Sequence, residues 1–537
     1  MTVLAVAVVL GVTTLAEYAS RERQTTPPHE THVRLQTSDF TLEAASRAVS
    51  LRAGIGVAHD AVFTSSKQAQ AFYDQGLAYL HSYIWVEAAR SFNQALTLDA
   101  NLAIAYAGLS IAYTELNAAP AAKAALDRAN ALAAKGNDHD RRHIAARVWQ
   151  AAAEASPRDA AKLAAYRAAL DAALTKDSSD IEMWLLRGTA ESSDPAERGQ
   201  GSVAGSIRFY ERALALAPSH FAAHHYLAHA YENTGRIEDA LTQGGAYAKM
   251  APGVPHAQHM YGHNLRRVGR IGEAIEAFLA ADTLESEYFR TEKIPVEYDW
   301  HYQHNLDLLA TSYQYIGQMH KAEALLKTSF AIPSTLLAQE FNKREWPVFL
   351  LARGRAKEAL DAATVMAGHR SPIVSATGHV EAAHALLALG QFKAAADEGN
   401  AALRLMRGTE GARLVASSLQ QFQGEFLLRT GQRDKGRPML EDVARKVRAL
   451  PGPDAWTQAL FTLEAIARAA RDVNDWEFAA WAAGQMLAHD PNYAGTHYAL
   501  ALVAEHKGDA ATARTERALV AKYWDKADAG LPELKGR

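Results

Sequence analysis

Along most of the chain, apolar side chains recur three and four positions apart in short stretches, each closed by Gly or Pro. That spacing lays one apolar stripe along a helix, and the Gly and Pro punctuation marks where each helix stops. The pattern is clearest in AFYDQGLAYLHSYIWVEAARSFNQALTLDAN, where Phe72, Gly76 and Tyr79 mark a first helix and Ala88, Phe92 and Ala95 a second. The next pair repeats it with Tyr106, Ser110 and Tyr113, then Ala122, Leu126 and Ala129, Tyr106 standing 34 positions after Phe72. Pro218 and Pro252, each just past a second helix, are again 34 apart. Further pairs are marked by Gly262-Gly269-Ala274-Phe278, Tyr313-Gly317-Ala322, Gly354-Ala359, Gly390-Ala395, Gly431-Leu440, Ala479-Pro491 and Gly508-Ala513. The count comes to about eleven or twelve helical hairpins, with His139 to Ala190 the least regular stretch.

These residues at this period resemble the tetratricopeptide repeat family, whose signature is a large residue, a small one and Tyr on the first helix, then Ala, Phe and Ala on the second. The resemblance implies an all-α, right-handed solenoid in which small residues let the helices of a hairpin cross closely and stacked hairpins share one core. It also implies that positions two, five, nine and twelve of each first helix face a concave groove. Family members that grip a partner's C-terminal carboxylate use Lys or Arg with Asn at such positions. Position five here reads Tyr73, Ala107, His225, His259 and Asp307, so that clamp is absent.

Organisation along the chain follows. Val3 to Ala16 is an apolar run, and residues 1–20 read as a secretory signal, with Thr14-Leu15-Ala16 as its cleavage site, or as a retained apolar arm. Export to the periplasm or the extracellular space is the expectation. Residues 21–60, with Pro27-Pro28, read as a linker or extended arm; 61–220 as N-terminal repeats; 221–330 as histidine-rich repeats with an inserted loop near 285–302; and 331–537 as C-terminal repeats. The insertion, TLESEYFRTEKIPVEYDWHYQH, is expected to cover the groove, with Trp300 and Tyr302 as packing anchors.

Lys and Arg number 56 against 60 Asp and Glu, a net charge of −4, which argues against nucleic acid or an anionic membrane as the main partner. No run is suited to an integral membrane span. With no cysteine, any metal is held by imidazole or carboxylate. Nine of the 22 histidines fall between residues 220 and 304, where even scattering would place about three or four. Counted from Phe221 and Pro255, His225 and His229 occupy positions five and nine, and His259 and His263 occupy them again 34 residues later. Histidines four apart share a helix face and can share an ion. His256 and His304 take position two of their units and Asp307 position five, so His225, His229, His256, His259, His263, His304 and Asp307 are the expected ligands, in one groove, of one divalent zinc, copper, nickel or iron ion or a close pair, with a hydrogen-bonded histidine network as the alternative. His81, His143, His379, His384, His497 and His506 read as hydrogen-bonded structural residues, and His224 as facing its hairpin partner.

The segment from His224 to Gly269 further resembles a bacterial group of tetratricopeptide proteins with H-Y-x-x-H-A-Y followed by P-H-A-x-H-M-x-x-H, matched here by His225 to Tyr231 and by Pro255 to His263. That resemblance implies a recurrent histidine groove and no particular reaction. No Walker loop, G-x-S-x-G elbow, H-E-x-x-H or G-x-G-x-x-G accompanies it, so no catalytic or organic-cofactor residues are assigned. A metal enzyme with Glu232 or Asp299 as base, near Tyr261 or Tyr302, is the third reading. The second is a self-assembling or partner-binding scaffold: Leu502, Val503, Leu519, Val520 and Trp524 stack end to end on another copy, or pack on their own hairpin.

Overall fold

The computed structural model describes residues 42–299, 301–334, 337–409, 412–450 and 455–534. The apolar run at Val3 to Ala16, the polar stretch that follows it to residue 41 and Trp300 lie outside these residues. Among them the chain is all helix and turn, with no strand. It forms twelve antiparallel hairpins: Lys67–His81 with Trp85–Leu98 (hairpin 1), Ala103–Glu115 with Ala119–Leu132 (2), Asp138–Glu154 with Ala160–Lys176 (3), and Ile181–Thr189 with Ala204–Leu216 (4). Then come Phe221–Asn233 with Ile237–Met250 (5), Pro255–Arg267 with Ile271–Glu292 (6), Tyr302–Tyr315 with Met319–Ala331 (7), and Glu345–Ala352 with Ala356–Ala367 (8). The last are Pro372–Ala388 with Phe392–Met406 (9), Ala412–Arg429 with Arg433–Arg448 (10), Ala455–Asp472 with Trp476–His489 (11), and Ala494–His506 with Ala510–Tyr523 (12). Each hairpin packs on the next, giving the expected helical-repeat solenoid.

The repeat residues act as their spacing requires. The ring of Phe278, fully buried, lies where a Cβ on Gly262 would come within 2.7 Å of it, so the glycine on the first helix is the seat for the aromatic on the second. Phe92 sits on Gly76 in the same way. Replacing Phe278 by alanine empties this seat directly beneath His259 and His263 and is expected to cost about 3–5 kcal/mol, read as a lowered urea midpoint of the repeats around it. At the turn between the two helices, Gly235 and Gly269 have φ of 78° and 79°, the left-handed conformation that closes the hairpin. Asn117 and Asn474 fill the same place in hairpins 2 and 11, and in hairpin 1 it is taken by Tyr83, at φ 61°.

That exception matters because the solenoid folds back on itself. The turn of hairpin 1 (Ser82 to Ile84) inserts against hairpins 5 and 6: the carbonyl of His81 accepts from His225 Nδ1 at 2.7 Å, and Tyr247 donates to Ser82 Oγ at 3.2 Å. Residues 47–60 of the expected linker, together with 61–66, form a packed strap. Gly253 donates its N–H to the Gly54 carbonyl at 2.8 Å, Ile55 and Ala58 are buried, and Gly56 lies so close to Phe221 that a Cβ there would reach its ring. The insertion is likewise more ordered than a loop, because the second helix of hairpin 6 runs on to Glu292 and only residues 293–301 form a connection. Its Tyr288 and Glu292 bind Glu87 and Arg90 of hairpin 1.

The C-terminal hairpin also finds its partner within the chain. Trp524 donates its indole N–H to the Tyr315 carbonyl at 2.8 Å and is, with Val503 and Val520, buried. Within the chain Trp524 thus packs on hairpin 7 as well as its own hairpin, while Leu502 and Leu519 stay half-buried. No described helix is long and apolar enough to cross a membrane.

Candidate metal centre

Hairpins 5, 6 and 7 bring six of the seven expected ligands together, as two sets. His225, His229 and His256 form one, with ligand atoms all within 4.8 Å of one another; His259, His263 and His304 form the other on the same criterion. Each set has one composition rule: positions five and nine of one first helix, with position two of the next. The 34-residue repeat therefore produces the site twice. Asp307, one turn beyond His304 and buried, belongs to neither set.

The geometry fixes which nitrogens face inward. His225 Nδ1 faces the His81 carbonyl, which can only accept, so the neutral ring carries its proton there and presents a bare Nε2. His256 Nε2 stands 3.0 Å from that atom and His229 Nε2 3.1 Å. In the second set Asn305 donates its amide to the Phe278 carbonyl at 3.0 Å, which turns its Oδ1 to accept from His259 Nδ1 at 3.0 Å. His259 Nε2 is thereby bare and faces His263 Nε2 at 2.7 Å. His263 Nδ1 lies 3.8 Å from the buried Glu232 carboxylate. An acceptor behind each lead histidine is the arrangement that orients imidazoles for a metal.

A residue not counted among the expected ligands joins the two sets. His301, at the end of the connection after hairpin 6, has its ring centroid 4.8 Å from that of His256 and 4.0 Å from that of His259. Its Nδ1 is 2.5 Å from Glu285 Oε1. Its place in the histidine-dense window was the signal; the insertion hid its register.

The surroundings hold four of these imidazoles toward the neutral form. Burial, then the neighbouring His229, holds His225 well below its ordinary pKa; burial and His225 do the same to His256. Burial and His301 depress His259, and burial and His304 depress His301. Glu285 is pushed well above the carboxylate range by burial and by Asp299 and Asp282, so the region lacks compensating positive charge.

The expected concave groove is closed into an interior. His225, His229, His256, His259, His263 and His301 are each no more than 5 % exposed. The cover is Tyr83, whose ring centroid lies 4.9 Å from that of His225 and 5.0 Å from that of His256, and whose hydroxyl donates to the Arg198 carbonyl. Holding a bulky residue at positive φ costs on the order of 1 kcal/mol, and here that strained residue is the lid of the first set. Beside it a cavity of about 280 Å³ reaches His256 and His301 between Tyr83, Tyr288, Glu285 and Asp299.

The remaining assignments divide. Asp299 caps hairpin 7 by accepting from the N–H groups of His301 and Tyr302, and Tyr302 packs on Phe289. Arg266 is buried and donates to Thr311 Oγ1. His224 bonds Gln243 on its partner helix. His379, His384 and His497 pair with Glu398, Glu425 and Glu516, and His506 stacks on Trp476. His81 is also hydrogen-bonded, but as part of a buried His81–Glu182–His220 set in which Glu182 holds both rings at 2.8 and 2.9 Å. Although burial opposes it, those two imidazoles keep the Glu182 carboxyl well below its ordinary range.

Compared with known sequences, residues 209–242 match the tetratricopeptide repeat family, a span that takes in the first helix of hairpin 5 and with it His225 and His229. No curated protein matches the chain. Among solved structures, the chain is similar to the Cut9–Hcn1 hetero-tetramer of APC/C at 12 % identity over 88 % of this chain and 96 % of that one, with a TM-score of 0.29. It is also similar to the apo form of the quorum sensor NprR from B. thuringiensis (12 % identity, 78 % and 98 % covered, TM-score 0.41) and to yeast Tom70 (12 %, 78 % and 92 %, 0.37).

Proposed function

We propose that this protein of tetratricopeptide-type repeats is a scaffold that holds divalent transition-metal ions in the two three-histidine sets of hairpins 5 to 7. The observation that carries the reading is the convergence on His225 Nε2. A bare imidazole nitrogen has one lone pair and accepts one well-directed hydrogen, yet two other Nε2 atoms crowd this one at 3.0 and 3.1 Å. Nitrogens sharing a zinc ion at about 2.0–2.1 Å each stand roughly 3.3 Å apart in a tetrahedral site, a few tenths of an ångström from what is found. Three imidazoles suit zinc, copper, nickel or iron rather than calcium or magnesium, and leave a fourth position open. The closed interior favours an ion or small molecule over a peptide at this place. The test is calorimetric titration of metal-free protein with Zn²⁺ or Cu²⁺: heat saturating at two or more equivalents supports the reading, and no saturable binding ends it.

The lid gives an independent check. Tyr83→Gly relieves the strained turn and uncovers the first set, so chelator should strip its metal at least ~10-fold faster while the fold is kept. An unchanged extraction rate would show that Tyr83 does not control access.

A further inference from the structure

A different cluster lies away from this interior, where the strap meets hairpins 3 and 4. His139 and His143 are four apart on the first helix of hairpin 3, their ring centroids 4.5 Å apart. Asp60 reaches them from the strap, and Asp180 from the N-cap of the first helix of hairpin 4. His139 Nε2 is 2.8 Å from Asp60 Oδ1 and 3.8 Å from Asp180 Oδ2, and His143 Nε2 is 3.0 Å from the same Asp180 oxygen.

Three of the four groups have their other polar atom already committed. Asp60 Oδ2 accepts from the Tyr73 hydroxyl at 3.3 Å, leaving Oδ1. Asp180 Oδ1 caps its helix by accepting from Met183 N–H at 2.9 Å, leaving Oδ2. His139 Nδ1 faces Asp140 Oδ1 at 3.3 Å, a carboxylate itself anchored by the Phe63 N–H, leaving Nε2. A carboxylate behind a histidine whose other nitrogen faces two more ligands is the support that metal-bound imidazoles use. The four facing atoms, two nitrogens and two oxygens, number what a tetrahedral ion takes. Two neutral imidazoles and two carboxylates also balance a dication, so a metal replaces two protons with no change of net charge.

We propose that Asp60, His139, His143 and Asp180 form a separate divalent-metal site, of zinc or cobalt class, whose ion clips the N-terminal strap to hairpins 3 and 4. The strap in turn lies against Phe221 of hairpin 5 and Gly253 in the turn that follows it, beside the histidine interior. The site does not depend on the two histidine sets and is tested in their absence.

Full-length His225→Ala/His259→Ala protein, stripped of metal, is titrated with Co²⁺ and followed by visible d–d absorption and by trypsin cleavage at Arg47 and Arg52. The site predicts one equivalent with the intensity of tetrahedral cobalt, slower strap cleavage when Co²⁺ is present, loss of both in added His139→Ala/His143→Ala, and at least ~10-fold weaker binding in added Asp60→Asn. No binding by the folded parent, or binding unchanged by these substitutions, overturns it and leaves His–Asp ion pairs only. If the parent does not fold, Asp60→Asn in the otherwise unaltered chain decides: one equivalent of Co²⁺ held at least ~10-fold more weakly supports the site, and every equivalent held as tightly as before refutes it. Because the parent lacks the lead histidines of both interior sets, failure here leaves the interior reading standing, and the reverse also holds.

Discussion

In the His225→Ala/His259→Ala double variant, the metal held by both interior sets is expected to be lost while the helical content is kept. Each substitution removes the lead imidazole of one set, the one whose Nδ1 is pinned by the His81 carbonyl or the Asn305 amide. Disturbing only the supporting partner of a metal ligand typically weakens binding by about 10–100-fold, so removing one of three ligands should exceed ~100-fold. Each change also leaves a buried acceptor without its donor, a loss of about 1–3 kcal/mol apiece. The metal-free variant should therefore melt lower than metal-free parent, with unchanged circular dichroism at room temperature. Metal content equal to the parent's would place the ions elsewhere. The single variants separate the sets: His225→Ala should lose the first ion alone and His259→Ala the second alone.

Acidification of the metal-free protein from pH 7 to pH 5 should produce the second large effect, a steep loss of stability. His225, His256, His259 and His301 all titrate well below their ordinary values in the folded chain, each because of burial first and a neighbouring histidine next. Below about 6.5 the unfolded chain takes up protons on these rings and the folded chain does not. Stability is thus fully present above 6.5 and falls as pH falls, by up to about 1.4 kcal/mol per pH unit for each ring that stays neutral. Buried carboxyls raised above their ordinary range, Glu285 by burial and its carboxylate neighbours and Glu87, Glu381 and Glu464 by burial, work in the opposite direction, so the loss is the surplus of the four rings over them. His139 (pushed up to about 10, with the Asp140 and Asp60 carboxylates outweighing the opposing effect of burial), His143 and His384 contribute stability that is already complete below 6.5 and is lost only as pH rises. Glu154, drawn down to about 2 by Arg147 and Arg198 against the opposing effect of burial, loses its contribution only as pH falls below the ordinary carboxylate range. A melting temperature that falls between pH 7 and 5 no more steeply in the parent than in His225→Ala/His259→Ala would show that these histidines are not held neutral. In His225→Ala/His259→Ala the slope should be shallower, since two of the four rings are gone.

How far residue order alone could lead is set by the range of the contacts involved. The hairpins were legible because each is decided within one repeat: Gly262 and Phe278 meet across a single turn, and Gly269 closes it. The two ligand sets were legible for the same reason, as positions five and nine of one helix and position two of the next are neighbours by the repeat's own geometry. What was not legible came from contacts across the superhelix. Nothing near Ser82 or Tyr83 announces that they will lie on His225 and His256, roughly 140–170 positions away in sequence, and that closure turned an expected groove into an interior. His301 was missed because the insertion before it continues a helix and shifts the register by which position two was counted. Asp60, His139, His143 and Asp180 come from three separate elements, and only the four-residue spacing of the two histidines hinted at them.

The central claim is that the histidine interior is a metal centre rather than a hydrogen-bonded core. It is tested most directly by elemental analysis of the full chain, purified without a histidine tag or added metal, beside a chelator-stripped and reconstituted sample. The account predicts zinc, copper, nickel or iron at two or more equivalents per chain, removed by the chelator and restored on reconstitution. A correctly folded protein that contains no such metal and takes none up would contradict it.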